Sequence, residues 1–335
     1  MPRIPARRSI LRTLLATSAS LAAATAFMQP AVAQTKWDLP TAYPVSSFHT
    51  ENLQAFAADV DKASGGRLRI TLHPNGSLYK ANEIKRAVQT GQVPVGEFIL
   101  SGAANENPLF GIDSVPFLAD SYAAARRLAR IERPYLEKLL AAQGMKLLYT
   151  VPWPGQSLYS VKPVETPADL RGAKMRAYNP ASARIAQLLG AQPTTIQLAE
   201  LGQALATGTV QTFITSSASG IENKLHESAP YFYRVNAWLP KNAVVVSGKA
   251  FDALDKPTQQ ALLNAAAAAQ ERGWTLSEAK DNEYQKALAD RGVKVADPSP
   301  ALKKELKAVG ERMTAEWLKT AGADGQAIVD AFVKP

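Results

Sequence analysis

Beyond residue 33, the apolar residues of the chain follow two spacings, one typical of strands and one typical of helices. Residues 67–72, Arg-Leu-Arg-Ile-Thr-Leu, alternate polar and apolar side chains, which predicts a half-buried strand. A helical spacing precedes them, and Gly65 and Gly66 end that helix. The other elements predicted up to residue 100 are a helix at 81–89 and strands at 36–42 and 93–100. This β-α-β-α-β order favours a parallel sheet with crossover helices.

The α/β pattern resumes after a segment that breaks regular structure. Residues 151–156, Val-Pro-Trp-Pro-Gly-Gln, are typical of a crossing between domains. A strand at residues 174–177 is followed by a helix at 180–189 that begins with proline. Pro134 divides two further predicted helices. The elements predicted in this part are helices at 122–131, 134–143, 198–207, 301–320 and 325–332, and strands at 145–150, 210–214, 231–237, 243–246 and 293–296.

One predicted helix is unusually long. Residues 257–290 keep a helical composition throughout, and Gly273 is the one glycine among them. A coiled coil is the alternative, but the alanine run at residues 265–269 shows no heptad. We therefore expect a single helix that runs along both domains.

The first 33 residues have the three-part layout of an export signal. A basic start without acidic residues precedes an apolar run at 14–28, and Ala31-Val32-Ala33 has the spacing that signal peptidase recognises. Arg7 and Arg8 resemble a twin-arginine signal, and Sec export is the alternative. We expect a mature chain that starts near Gln34, outside the bacterial cytoplasm.

Composition narrows the function classes. The formal charge is +9, and the four arginines of the export segment account for part of it, so 34 basic against 29 acidic residues leave +5. A mildly basic chain without a long basic run is not typical of nucleic-acid binding. The absence of cysteine excludes disulfides and thiolate metal sites.

The usual catalytic signatures are missing. The sequence contains no G-x-S-x-G, no Walker A loop and no G-x-G-x-x-G. Its three histidines, His49, His73 and His226, lie in three separate segments. We therefore expect no metal site and no cofactor, although a Ser-His-Asp triad stays open.

Arg176 is the first candidate for ligand binding. It ends the predicted strand at 174–177, just before a helix, and this places it at the rim of a sheet. In open α/β sheets ligands bind at that rim, and a guanidinium offers paired donors to a carboxylate. The alternative is a surface arginine that solvates the end of a strand.

Several motifs resemble those of one protein family. Residues 166–176, Thr-Pro-Ala-Asp-Leu-Arg-Gly-Ala-Lys-Met-Arg, match the pattern T-P-x-D-L-K-G-x-K-I-R, and residues 113–118 match D-x-x-P-F-L. Shorter matches lie at residues 64–67, 87–91, 190–193 and 204–208. The chain thereby resembles, over residues 36–320, the DctP-type periplasmic solute-binding proteins of tripartite ATP-independent periplasmic (TRAP) transporters.

The resemblance implies an α/β, two-domain periplasmic-binding-protein (Venus flytrap) fold with the long helix spanning both domains. It places domain I at 34–152 plus 240–280 and domain II at 153–239 plus 281–335. Arg176 would bind the carboxylate of a small organic acid in a cleft between them. The implied protein is a periplasmic monomer that delivers its ligand to membrane permease subunits and binds no nucleic acid. It is not an enzyme; a secreted hydrolase or a sensor subunit is the alternative.

Two positions depart from the pattern of many relatives. Gln156 lies near the place of a second arginine, and Thr215 replaces an amide in a segment whose acidic positions are neutral here. The resemblance with these departures favours a monocarboxylate, aromatic or hydroxylated, over a dicarboxylate.

Further candidates surround the expected cleft. Aromatic side chains that can stack on a ligand ring, of which we expect at least two to belong to the core, are Tyr43, Phe48, Trp153, Tyr178 and Trp238. Helix capping is the alternative for two serines, and capping or a turn for the asparagine of the return crossing; an acidic residue would bond a ligand hydroxyl or pair with an arginine. In the order of the chain, the polar candidates are Glu97, Asn179, Ser216, Ser217 and Asn242.

Overall fold

The computed structural model describes residues 34–334, and the chain from Lys36 onward forms one compact unit. The export segment expected at residues 1–33 lies outside the described residues. The first part of the chain contains β1 (Thr35–Pro40), α1 (Phe48–Ala63), β2 (Leu68–His73), α2 (Ile84–Gln89), β3 (Val95–Ile99), α3 (Tyr122–Ala142) and β4 (Met145–Pro152). The middle contains β5 (Ser157–Ser160), β6 (Lys174–Ala177), α4 (Pro180–Leu188), β7 (Gln192–Thr195), α5 (Leu198–Ala206), β8 (Thr212–Thr215), α6 (Ser217–Glu222) and β9 (Tyr231–Tyr233). The last part contains β10 (Lys241–Ser247), α7 (Gly248–Asp252), α8 (Lys256–Asp290), β11 (Lys294–Ala296) and α9 (Pro300–Val333).

The described strands form two main sheets. In the first, β10 lies between β3 and β4 and is antiparallel to both, while β1 pairs with β2 beside it. The second is mixed, with the order β11-β9-β5-β8-β6-β7, and β6 is parallel to both of its neighbours. We call the parts built on these sheets the first and the second lobe.

The single parallel sheet expected for the three strands within residues 36–100 does not form, because β3 does not join β1 and β2. The neighbour of β3 is β10, which arrives from far along the chain and runs antiparallel to it. A local pattern of apolar residues contains no signal for such a long-range partner, so the type of sheet could not follow from it.

The prediction of two helices divided at Pro134 is wrong. Helix α3 is a single helix that continues through this proline. Proline removes one backbone hydrogen bond from a helix. Buried leucines lie before and after the proline in the chain, namely Leu128 before it and Leu136 and Leu140 after it. Their packing outweighs the lost bond, so the helix continues.

Helix α8 is the long helix that the sequence predicts. Leu262 packs in the core of the first lobe and Leu288 in a core of the second. A β-carbon on Gly273 would lie 2.4 Å from the side chain of Val151 and 2.8 Å from that of Asn52. The glycine therefore permits the helix to approach β4 and α1 closely.

Helix α9 also touches both lobes. Gly322, with φ 63° and ψ −152°, breaks it into two segments, as the sequence predicts. Leu306 packs in the second lobe, whereas Ile328 packs beside Leu128 of the first. The domain limits stay a prediction, and the packing of Ile328 differs from the assignment of residues 281–335 to domain II.

Glu222 joins three helices near the cleft. Its Oε1 accepts hydrogen bonds from the Phe48 backbone N–H at 3.2 Å and from the Tyr284 hydroxyl at 2.9 Å. Burial raises the pKa of Glu222 to about 7, the two hydrogen bonds oppose this, and the Glu51 carboxylate adds to it. Folding therefore shifts this carboxyl group towards its acid form.

We expect Glu222→Gln to remove a pH-dependent loss of stability. A carboxyl group whose pKa is higher in the folded state stabilises that state fully at pH values below its unfolded pKa of 4.5. This stabilisation is lost as the pH rises through the folded pKa of about 7. Glutamine keeps the acceptor oxygen without the charge, so the variant should melt like the wild type at pH 5 and higher at pH 8. The difference has an upper limit of about 3 kcal/mol. Melting curves that keep the same difference at both pH values would refute it.

Candidate functional site

Strand β6 places Arg176 inside the protein. Arg176 pairs in register with Thr194 of β7 and Phe213 of β8, and only 4% of its surface is exposed. A polar helix start follows at once, where the Asn179 side chain caps α4. The burial rules out the surface arginine that was the alternative.

The guanidinium of Arg176 has no acidic partner within residues 34–334. Its Nε donates to the Ile196 carbonyl at 2.9 Å, and the group lies 4.8 Å from the centre of the Tyr178 ring. Burial lowers the pKa of Arg176 to about 10, against the opposing effects of Tyr178 and Tyr43. A buried cation with free terminal donors is suited to bind an anion.

A cavity of about 70 Å³ adjoins Arg176. Residues of both lobes line it, and one wall is aromatic, since the Tyr43 and Trp153 rings lie 4.9 Å apart. The residues that line it are Ala42, Tyr43, Ala81, Ile99, Trp153, Gln156, Arg176, Tyr178, Gln197, Leu198, Thr215, Ser219 and Pro240.

The structure brings part of the predicted set together at this cavity. The candidates that line it are Tyr43, Trp153, Gln156, Arg176, Tyr178 and Thr215. Sequence reasoning missed Gln197, Leu198 and Ser219. Each follows a strand of the second lobe, where a helix begins, and this is the same signal that pointed to Arg176. Applied to every strand end, that signal would have found them.

Other candidates lie behind the cavity wall. Trp238 is fully buried and donates its indole N–H to the Tyr178 hydroxyl at 3.2 Å. Phe48 is buried with its ring 5.4 Å from that of Trp153. Asn242 accepts hydrogen bonds from Tyr43 and Trp153. These three side chains do not line the cavity and instead support residues that do.

Glu97 has neither of its expected partners. Its carboxylate accepts from the Thr41 hydroxyl at 2.6 Å and lies 3.2 Å from Nδ1 of His49. It is buried on β3 and does not line the cavity. The partner is therefore a histidine, not an arginine or a ligand hydroxyl.

The remaining polar candidates form caps and links. Asn179 caps α4 through Ser182 and donates to the Ser101 hydroxyl at 2.9 Å, which connects the two lobes. Ser216 caps α6, and Ser217 donates to Asp281 at 2.9 Å on α8. None of the three candidates lines the cavity: Asn179 and Ser216 cap helices, and Ser217 links α6 to α8.

The histidines do not assemble a site. His49 lies beside Glu97, while His73 is 2.7 Å from Asp38 and His226 is 3.2 Å from a backbone carbonyl. Among the described residues, no cluster of three or more histidine or acidic side chains suits a metal ion. In the same part of the chain, no helix is long and apolar enough to span a bilayer.

The sequence profile of bacterial extracellular solute-binding protein family 7, DctP, matches residues 41–320. The chain belongs to this family. DctP6 of Bordetella pertussis, an extracytoplasmic solute receptor that binds pyroglutamic acid, is 53% identical, with a TM-score of 0.88 over 90% of this chain and 100% of that one. A marine metagenome TRAP protein specific for pyroglutamate, solved with the co-purified ligand, is 45% identical, with a TM-score of 0.88 over 90% and 99%. A curated solute-binding protein of Albidiferax ferrireducens is 28% identical over 301 residues, which are 86% of this chain and 88% of that protein.

These relatives confirm the resemblance seen in the sequence and the two-domain α/β fold that it implied. The chain is a solute-binding protein of the TRAP transporter type. Proteins of this kind are periplasmic and work with membrane permease subunits. The hydrolase and sensor alternatives gain no support.

Proposed function

We propose that this protein captures pyroglutamate, or a cyclic monocarboxylate of the same size, at Arg176 and delivers it to a TRAP permease. The observation that carries the proposal is a buried guanidinium without a carboxylate partner, facing a cavity of about 70 Å³. Two structural relatives at 45% and 53% identity bind pyroglutamate, and this supports the choice of acid.

The charges of the cavity favour a ligand with one carboxylate. Arg176 is the one cation among its lining residues, and none of them is acidic. A second carboxylate would be buried without a partner, which is strongly unfavourable. By the family resemblance, Gln156 stands near the place where many relatives have a second arginine, and Thr215 stands where they have an asparagine.

The other walls suit a small ring with a lactam. Tyr43, Trp153 and Ile99 provide apolar and aromatic surface for ring carbons. Amides and hydroxyls that can serve a lactam N–H and C=O are those of Gln156, Gln197, Thr215 and Ser219. A neutral lactam needs no second charge, in agreement with the composition of the lining.

We also propose that the protein has no catalytic activity and acts as a monomer in the periplasm. Among residues 34–334, no histidine and no acidic side chain lines the cavity, so this part of the chain places neither a general base nor a nucleophile pair there. The permease, not the binding protein, would then release the acid into the cell.

We expect L-pyroglutamate to raise the melting temperature of the mature protein by about 5–10 °C at 100 times its dissociation constant. Succinate and malate should give no shift, because their second carboxylate has no partner. L-Proline should give a smaller shift, since it keeps the ring and carboxylate but replaces the lactam by a charged amine. Thermal-shift measurements on this panel provide the test, and a largest shift with succinate or malate would overturn the proposal.

A further inference from the structure

We propose that Asn242 is a positioning residue that fixes the Tyr43 and Trp153 rings, and thereby the aromatic wall of the ligand cavity, without touching the ligand. Asn242 lies on β10, opposite Ile99 of β3 and Val151 of β4. It is 1% exposed and does not line the cavity. The inference rests on the proposed function of this cavity as the acid-binding site.

One oxygen atom holds both rings. The Asn242 Oδ1 accepts from the Tyr43 hydroxyl at 3.1 Å and from the Trp153 indole Nε1 at 3.0 Å. An indole N–H can only donate, so the amide must present its oxygen on this side. Burial, with the nearby charge of Glu97, raises the pKa of Tyr43, and its hydroxyl therefore stays protonated and donates. The two donors converge from rings inclined at 60° to each other.

The other end of the amide faces His49. Asn242 Nδ2 lies 3.3 Å from Nδ1 of His49, and the same nitrogen lies 3.2 Å from the Glu97 carboxylate, so Nδ1 either accepts from the amide or donates to Glu97 and does not do both. The His49 ring packs 4.2 Å from the Trp153 ring, centre to centre. The amide thus lies in a buried polar cluster behind the wall, and its oxygen, which accepts from both rings, is its firmly bonded end.

Small movements of this wall matter because the cavity is small. Both rings pack in the core of the first lobe, whereas Arg176 lies on β6 of the second. A ring that leaves its position would enlarge or block a cavity of about 70 Å³ while the carboxylate site stays intact. Residues behind the wall must therefore hold the two rings in place. Asn242 does so through hydrogen bonds to both of them.

The test is a pair of double-mutant cycles read in the affinity for L-pyroglutamate by calorimetry. Asn242→Leu leaves both ring donors without an acceptor and should weaken binding at least about ten-fold. Tyr43→Phe keeps the ring and removes one donor, and Trp153→Phe removes the other. If Asn242 acts through the rings, the loss in each double variant should be several-fold smaller than the product of the single losses.

Multiplicative losses in both cycles would overturn the proposal, because Asn242 would then act independently of the rings. So would near-wild-type affinity in Asn242→Leu. If Asn242→Leu fails to fold, Asn242→Ser takes its place, since its shorter side chain cannot reach both donors. If the wild type does not bind L-pyroglutamate, the proposed ligand is wrong, and the cycles are measured with the acid that mass spectrometry finds in the purified protein.

Discussion

Arg176→Ala should abolish measurable ligand binding while the protein keeps its fold. The ligand carboxylate would meet a buried guanidinium in a cavity where no other cation of residues 34–334 lines the wall. Removing one partner of a buried ion pair costs about 3–5 kcal/mol, which corresponds to roughly a hundred- to several-thousand-fold in affinity. Arg176→Lys should also bind weakly, because an ammonium keeps the charge but loses the paired donors. Calorimetry with L-pyroglutamate measures both variants.

The matched control is Arg184→Ala. Arg184 lies on α4, a short distance along the chain, and pairs with Glu316 at 2.6 Å at the surface. Its loss should leave the affinity unchanged, since it does not line the cavity. Near-wild-type affinity in Arg176→Ala would show that the carboxylate is held elsewhere.

Lys241→Met should produce the largest loss of stability. Lys241 begins β10, and its Nζ lies 3.3 Å from Asp113 and 3.0 Å from Glu132, with all three side chains buried. Burial by itself lowers the pKa of Lys241, but the two carboxylates raise it above its ordinary value. Without the cation two acidic groups stay buried and unpaired, at a cost of about 3–5 kcal/mol. The melting temperature should fall by on the order of 10 °C at pH 8.

The loss should be smaller at pH 5.5. Burial raises the pKa of Glu132 to about 7, with a further rise from Asp113 and an opposing effect of Lys241. Below that pH Glu132 takes up a proton, so fewer buried charges depend on the lysine. Glu132→Gln is the matched control and should be milder at pH 8, because the Lys241–Asp113 pair survives. Equal melting of Lys241→Met and the wild type at pH 8 would refute this role.

Much of the cavity could be predicted because its residues carry local signals. Arg176 stands where a short strand gives way to a proline-started helix, and the surrounding motif matches the family pattern. Trp153 and Gln156 lie in the crossing between the lobes, which prolines and a glycine mark in the sequence. Such features depend on neighbours along the chain, so the sequence shows them directly.

The parts that could not be predicted depend on contacts between distant residues. Tyr43 and Asn242 are hydrogen-bonded although 199 positions separate them along the chain. The sequence therefore could not show that Asn242 supports the aromatic wall and does not itself line the cavity. The pairing of β10 with β3 is equally remote and changes the sheet from parallel to antiparallel. The break predicted at Pro134 is wrong because a local effect was outweighed. The proline does remove a backbone hydrogen bond, but the packing of Leu136 and Leu140 keeps the helix continuous.

A crystal structure of the mature protein with L-pyroglutamate tests the central claim most directly. We expect the ligand in the cavity beside Arg176, with its carboxylate oxygens about 2.7–2.9 Å from the terminal nitrogens of the guanidinium. Its ring should lie against the Tyr43 and Trp153 side chains. A ligand carboxylate bound away from Arg176, or ligand density only outside this cavity, would contradict the assignment of the site.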